Sequence, residues 1–282
     1  MYNYICELYI YIMTYNQIIE CTTFIQNKTD FKPLTGIILG TGLGSLANDI
    51  DIVVSFEYKD LPHFPVSTVE THQGRLLLGY LNQSPVVVMQ GRFHFYEGYS
   101  MKQVTFPVRV MEMLGINQLY ISNVSGGLNP AYEMGDIVVI EDHINLQYEN
   151  PLTGQNLDEF GVRFPDMLEI YNPELINKAY TIGVNASYSM HKGVYVSVPG
   201  PNLETKAEYK FLRIIGADCV GMSTVPEVIV ARHMKLKILA LSIITDLCYE
   251  PRIKKTDITE IIHVANSTEP KLCYILKNML SS

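Results

Sequence analysis

Three polar side chains follow a short apolar run at alternating positions. The run SPVVVMQ, residues 84–90, is typical of a buried strand, and Arg92, His94 and Tyr96 come directly after it. Residues two apart on an extended backbone point to the same face. We therefore expect a guanidinium, an imidazole and a phenol in one row at the carboxyl end of this strand. Arg92 would supply a charged bidentate donor and His94 a further donor, which suits an anion such as phosphate.

Both cationic residues also have a purely structural explanation. Arg92 can form a salt bridge with a nearby acid, and His94 can be a hydrogen-bonded histidine of the core. The anion site is favoured by three segments in which small residues follow a predicted strand: GTGLGS at 40–45, SNVSGGLNP at 122–130 and VGMSTVPE at 220–227. Glycine allows close backbone approach, a helix start offers free N–H groups, and ligands bind at the carboxyl edge of open α/β sheets.

The elements that would position these residues are apolar runs of strand length separated by helical patterns. In the predicted helix 224–235, Thr224 stands three residues before Glu227, which predicts a capping box. Strands that alternate with helices predict an α/β layered domain. The predicted strands are 36–40, 75–81, 85–90, 118–123, 136–142, 193–198, 217–222 and 236–245, and the predicted helices are 100–115, 172–183, 204–216, 224–235 and a last helix after Thr256 or Asp257.

Bulk composition limits the class of protein. The chain has 282 residues, of which 48% are hydrophobic, and this is enough to bury a full core. A net charge of −8 without a basic run argues against nucleic acid or an acidic membrane as a partner. Five scattered cysteines without a CxxC pair predict a reducing, cytoplasmic location. We interpret residues 1–12 as an N-terminal extension and 13–282 as a single domain.

Two acids and one long loop are further candidates. Glu204 follows VPGPNL at a predicted helix start, and Asp246 ends an apolar run; each can be a ligand contact or a helix-end or cap residue. His143 and its neighbour Asp142 face opposite ways on a strand, so we expect no metal site. The irregular stretch 145–171 is too long for an ordinary connection and carries aromatic residues, which predicts a functional loop.

Several motifs together resemble one protein family, the trimeric purine nucleoside phosphorylases, which are relatives of methylthioadenosine phosphorylase. The resemblance covers about residues 16–280. It implies a three-layer α/β phosphorylase-type fold, in which a mixed sheet curls toward a barrel flanked by helices, and a homotrimer. It also implies purine nucleoside and phosphate as ligands, without a metal or an organic cofactor. The motifs that carry it are GTGLGSL, THQGRLLLG, GRFHFYEGY, SNVSGGLNP, GDIVVIEDHINL, GPNLETKAE and GMSTVPEVIVAR.

The resemblance assigns roles to individual residues. The phosphate site it implies consists of Thr41, His72, Arg92, His94, Val124 and Ser223. The implied nucleoside site has Tyr96 and Met222 at the ribose, Leu203, Glu204 and Asp246 at the base, Ile258 near the 5′-position and Phe160 contributed to the neighbouring subunit. The groups implied in catalysis are His94, Glu204 and Asp246.

The implied reaction is attack of phosphate on C1′ of a purine nucleoside, which releases the base and ribose 1-phosphate. Asp246 and Ile258 depart from the usual Asn and His of 6-oxopurine enzymes and match the methylthioadenosine enzymes, whereas Glu204 and GMST match the nucleoside enzymes. We predict a purine nucleoside phosphorylase that favours 6-oxopurines, with methylthioadenosine phosphorylase as the alternative. A non-catalytic nucleoside or phosphate binder is an alternative of another class. Because apolar residues precede Asp246, we expect its carboxyl to keep a proton and donate it to N7.

Overall fold

The computed structural model describes residues 15–40, 43–66 and 73–281. The predicted extension 1–12, Thr41 and His72 lie outside these described residues. The helices among the described residues are α1 (15–26), α2 (Met101–Met113), α3 (Pro173–Asn185), α4 (Lys206–Ile214), α5 (Val225–His233) and α6 (Ile258–Met279). None of the helices in this part of the chain is both long and apolar enough to cross a membrane.

A single mixed sheet runs through the described residues. Its strands are β1 (Thr35–Leu39), β2 (Asp51–Glu57), β3 (Arg75–Leu81), β4 (Ser84–Gln90), β5 (Gln118–Gly127), β6 (Ile137–Asn145), β7 (Met190–Ser197), β8 (Cys219–Gly221) and β9 (Lys237–Leu247). They follow the order β2-β3-β4-β1-β5-β8-β7-β6-β9, and β9 also pairs with β5. The last five strands therefore close into a barrel, and the predicted mixed sheet with flanking helices is confirmed.

The central strands β1 and β4 are buried on both faces. Ile37 and Ile38 of β1 and Val87 and Val88 of β4 are fully buried, and neighbouring residues of a strand point to opposite faces. Helix α2 packs against α5, and α6 packs against both α3 and β9. Burial on both faces explains why these strands read as continuous apolar runs in the sequence.

Strand β2 was not predicted. It lies at the edge of the sheet, pairs only with β3 among the described strands, and has mostly exposed or half-exposed residues. An edge strand needs no continuous apolar run, so its sequence carries a weaker signal.

Two of the predicted small-residue loops differ from expectation. The segment after β1 leads into a short 3-10 helix, Ser45–Asp49, and not into an α-helix. Strand β5 continues through Gly126 and Gly127, which we had assigned to a loop. Glycine is required here by packing, because a Cβ on Gly127 would lie 2.9 Å from the Ile244 side chain of β9.

Candidate active site

A cavity of about 220 Å³ opens where β4, β5, β8 and β9 meet the ends of α4 and α6. The cavity brings together most of the residues that the sequence singled out, namely Arg92, His94, Tyr96, Val124, Leu203, Glu204, Met222, Ser223, Asp246 and Ile258.

The predicted extended row of Arg92, His94 and Tyr96 is wrong in its geometry. Strand β4 ends at Gln90, Gly91 has a positive φ of 110°, and residues 95–97 form a 3-10 helix. The rings of His94 and Tyr96 stack with centroids 4.7 Å apart. The three side chains still line one cavity, because the turn and the short helix fold them back toward the sheet.

Arg92 is held inside the protein by four polar contacts. It is 1% exposed, and its Nε and Nη2 each lie 3.0 Å from Glu227 Oε1. Its Nη1 donates to the Ser122 carbonyl at 2.9 Å and to Ser223 Oγ at 3.2 Å. The salt bridge that we had considered as a structural explanation is therefore present. It fixes a planar guanidinium in the wall of the cavity.

Glu227 serves Arg92 and not the helix cap, so the predicted capping box is wrong. Thr224 makes no side-chain cap bond to α5; it instead accepts a hydrogen bond from Asn123 Nδ2 at 2.7 Å. Its backbone, at φ 70° and ψ −54°, forms a γ-turn that the Val225 N–H closes on the Ser223 carbonyl at 2.7 Å. Such a strained turn in a β-branched residue is typical of functional sites.

His94 is oriented by a neighbouring acid. Glu97 Oε1 lies 3.0 Å from His94 Nδ1 and also accepts the His94 backbone N–H at 2.8 Å.

Burial raises the pKa of Tyr96 to about 12, so the phenol stays neutral and can donate a hydrogen bond at physiological pH.

Asp246 reaches the cavity through a β-bulge. Ser125 of β5 is paired with Ile244 of β9 but Gly126 with Asp246, so Thr245 is the extra residue. Thr245 Oγ1 donates to Asp246 Oδ1 at 3.0 Å, and Cys248 Sγ donates to Oδ2 at 3.2 Å. The apolar run before Asp246 did not predict these two donors, which contact both carboxylate oxygens.

Glu204 faces the same end of the cavity just before α4. Burial raises the pKa of Glu204, and the Asp246 carboxylate raises it further. Leu203 and Ile258 stand at the open side, 43% and 60% exposed. This end thus offers two acids, with two partly exposed apolar side chains at its open side.

The comparisons with known proteins agree with this geometry. The model of the phosphorylase superfamily matches residues 35–281. Purine nucleoside phosphorylase 1 of Bacillus subtilis is 50% identical over 231 residues, which are 82% of this chain and 85% of that protein. Purine nucleoside phosphorylase of Bos taurus is 43% identical over 277 residues, 95% of this chain and 96% of that protein.

The chain belongs to the purine nucleoside phosphorylase family. A solved member, isoform 2 of Schistosoma mansoni purine nucleoside phosphorylase in complex with cytosine and ribose-1-phosphate, superimposes with a TM-score of 0.90 at 37% identity. The match covers 95% of this chain and 96% of that one. The Schistosoma mansoni enzyme in complex with adenosine matches with a TM-score of 0.89 at 36% identity, over 95% of this chain and 97% of that one.

Phe160 does not line the cavity formed by the described residues of its own chain. It is 9% exposed, its ring centroid is 4.9 Å from the Arg109 guanidinium, and it meets Tyr15 edge-on at 6.0 Å. Asn145 ends β6, and residues 146–171 have no helix or strand, as predicted. The large apolar residues that this loop exposes are Tyr148, Val162, Phe164 and Leu168, of which Phe164 and Leu168 are the most exposed, at 86% and 87%.

Sequence reasoning missed three residues that build the site, Glu97, Tyr209 and Cys248, and gave a fourth, Glu227, a different role. Cys248 carried a usable signal, since it lies two positions after Asp246 and so on the same face of an extended chain. Glu227 was recognised but assigned to a cap. Tyr209 belongs to the buried face of α4, and nothing in its spacing distinguishes a cavity residue from a core residue.

Proposed function

We propose that this chain catalyses the phosphate-dependent cleavage of purine ribonucleosides and deoxyribonucleosides to the free base and the sugar 1-phosphate. One observation carries the proposal: a single cavity has a fixed guanidinium with hydroxyl donors at one end and two carboxylates at the other. The first set suits a phosphate and the second suits the polar edge of a purine.

The phosphate end holds and aims the nucleophile. Arg92 and Ser223 bind phosphate oxygens, His94 adds a donor, and the backbone near Val124 completes the site. Thr41 and His72 belong to this end by the family pattern. The bound phosphate attacks C1′, and its negative charge stabilises the positive charge that develops on the ribose. Tyr96 and Met222 hold the ribose between the two ends.

The base end stabilises the leaving group. Glu204 accepts hydrogen bonds from N1–H and the 2-amino group of a 6-oxopurine, which places the ring for departure. Negative charge grows on the purine as the bond to C1′ breaks, and donors aimed at that charge lower the barrier. Asp246 contacts the base beside Glu204. The reaction uses inorganic phosphate as co-substrate and needs neither a metal nor an organic cofactor.

Methylthioadenosine phosphorylase, the same-chemistry alternative, is not favoured. Relatives named purine nucleoside phosphorylase match most of the chain at 43–50% identity, and Glu204 lines the cavity. Exposed Ile258 remains the feature that suits a 5′-methylthio group.

We extend the proposal to a cytoplasmic homotrimer with sites built between subunits. The support is the loop 146–171, which exposes Tyr148, Val162, Phe164 and Leu168 to solvent in the single chain. Exposed apolar surface is a feature of surfaces that contact another protein. Phe160, in the same loop, contributes to the neighbouring subunit's site.

The function is tested by a substrate panel assayed with and without phosphate. We expect inosine and guanosine to be cleaved only when phosphate is present, and faster than methylthioadenosine. Faster cleavage of methylthioadenosine would support the alternative. Binding of inosine without turnover would indicate a non-catalytic nucleoside binder.

A further inference from the structure

A buried thiol lies between the two carboxylates of the base end. Cys248 is 2% exposed, and its Sγ donates to Asp246 Oδ2 at 3.2 Å. The Tyr209 hydroxyl interacts with both Cys248 and Glu204. Cys248 therefore connects the two acids that face the purine.

The position of this thiol is set by the backbone around it. The Cys248 N–H donates to the Gly127 carbonyl of β5 at 2.7 Å. A Cβ on Gly126 would lie only 2.5 Å from Cys248 Sγ, so only glycine leaves the space that the sulfur occupies. The fold thus holds the sulfur against the carboxylate.

The thiol acts as a donor and not as a thiolate. Burial raises the pKa of Cys248, and the negative charge of Asp246 raises it further, so the S–H is retained at physiological pH. Thr245 Oγ1 donates to the other oxygen of Asp246 at 3.0 Å. Each oxygen of Asp246 thus accepts one hydrogen bond from the protein, which leaves further lone pairs for a ligand.

Such a carboxylate discriminates between purines by the group at C6. A 6-amino group is a donor and can satisfy a remaining lone pair of Asp246, whereas a 6-oxo group is an acceptor and faces that lone pair unfavourably. A group that keeps the Asp246 carboxylate as a hydrogen-bond acceptor therefore allows 6-aminopurines to bind.

We propose that Cys248 is a specificity-determining positioning residue, whose thiol holds Asp246 as an acceptor for a purine 6-amino group, so that the enzyme cleaves adenosine as well as inosine. This inference rests on the proposed phosphorylase function. Cys248 acts through Asp246 and needs no contact of its own with the substrate. The buried side chain of Tyr209, on α4, contacts Cys248 and helps to hold it in place.

The test compares kcat/KM for adenosine and for inosine, at saturating phosphate, in four proteins. These are the parent, Cys248→Val, Cys248→Ser and the control Cys21→Val, which removes a fully buried thiol from α1. We expect Cys248→Val to lower the adenosine-to-inosine ratio about three- to tenfold, as loss of a weak donor to a charged acceptor predicts. Cys248→Ser keeps a donor and should retain the parent's ratio, and the control should leave it unchanged. If Cys248→Val does not fold, Cys248→Ala makes the same measurement with a smaller side chain.

The ratio separates this role from a structural one, because a packing defect would lower both activities together. An unchanged ratio in Cys248→Val, an equal decrease in Cys21→Val, or a parent that cleaves inosine but not adenosine would each overturn the inference. A parent that cleaves neither nucleoside would contradict the proposed function itself.

Discussion

The two ends of the cavity are built in different ways. At the phosphate end, Arg92 is almost fully buried and bonds to Glu227, Ser122 and Ser223, on or beside core strands and α5. At the base end, Leu203 lies in a loop and is 43% exposed. Ile258 is the first residue of α6 and is 60% exposed.

Because of this difference, substitutions at the two ends should differ in their effects on stability and on activity. A substitution at the phosphate end leaves buried polar partners unpaired, so it should damage the fold together with the activity. A substitution at the base end alters a partly open surface, so it should change substrate choice with little loss of stability. The following predictions test this contrast.

The largest effect is expected for Arg92→Ala. Loss of a charged bidentate contact should lower kcat/KM for phosphate by an amount that corresponds to roughly 2–4 kcal/mol of transition-state free energy. The Tm should also fall, because Glu227 is then a buried acid without its cation. Steady-state kinetics over a range of phosphate concentrations and thermal unfolding measure the two effects. The exposed Arg213 of α4 provides the control as Arg213→Ala. An unchanged Michaelis constant for phosphate together with an unchanged rate would remove Arg92 from the anion site.

A smaller effect is expected for Glu204→Gln. Loss of a charged acceptor should lower kcat/KM for inosine by about 1.5–3 kcal/mol. The Tm should stay close to that of the parent, in contrast to Arg92→Ala. Glu174→Gln, which changes an exposed acid in the first turn of α3, is the control. A large drop in Tm for Glu204→Gln would break the contrast between the two ends.

Glu204 also predicts a pH dependence. Its carboxylate must be ionised to accept from N1–H, and burial and Asp246 raise its pKa. As pH falls, kcat/KM for inosine should therefore decline at a pH above about 4.3, the usual pKa of glutamic acid. This acid limb should be absent in Glu204→Gln. A profile with the same acid limb in both proteins would assign it to another group.

Among the kinetic constants, Phe160→Ala should have an intermediate effect confined to the nucleoside, and the Tm should also fall because the ring packs against Arg109 in its own chain. We expect a higher KM for inosine and little change for phosphate, because Phe160 is proposed to serve the neighbouring subunit's site. Mixed oligomers of Phe160→Ala and Arg92→Ala subunits test this sharing, since some sites would then combine two intact halves. Activity that never exceeds the sum of the two separate variants would show that each site belongs to one subunit.

The smallest effect is expected for removal of residues 1–12. They carry no motif, so a chain that begins at Met13 should fold, assemble and cleave inosine like the parent. Size-exclusion chromatography and the inosine assay measure this. Failure of the shortened chain to assemble would assign these residues a structural role.

The sequence predicted the covered parts of the fold better than the edges and turns. Burial on both faces leaves continuous apolar runs such as those around Ile37 and Val87, whereas edge strand β2 has no such constraint. The glycines 126 and 127 were assigned to a loop because glycine usually interrupts strands, yet close packing against β9 requires them inside β5.

For the site, the residue types were predictable and their contacts were not. Arg92, Glu204 and Asp246 stand out as polar groups beside apolar runs, and all three line the cavity. The pairing of Glu227 with Arg92 joins residues 135 positions apart, and local spacing favoured a capping box for Glu227 instead. The γ-turn at Thr224 likewise depends on tertiary hydrogen bonds that no local pattern encodes.

The central claim is that phosphate is the nucleophile, and combined phosphorus and proton NMR of the complete reaction tests it most directly. With inosine and inorganic phosphate, the account predicts that ribose 1-phosphate and hypoxanthine form in equal amounts, and that neither forms without phosphate. Free ribose as the product, or release of hypoxanthine at the same rate without phosphate, would contradict it.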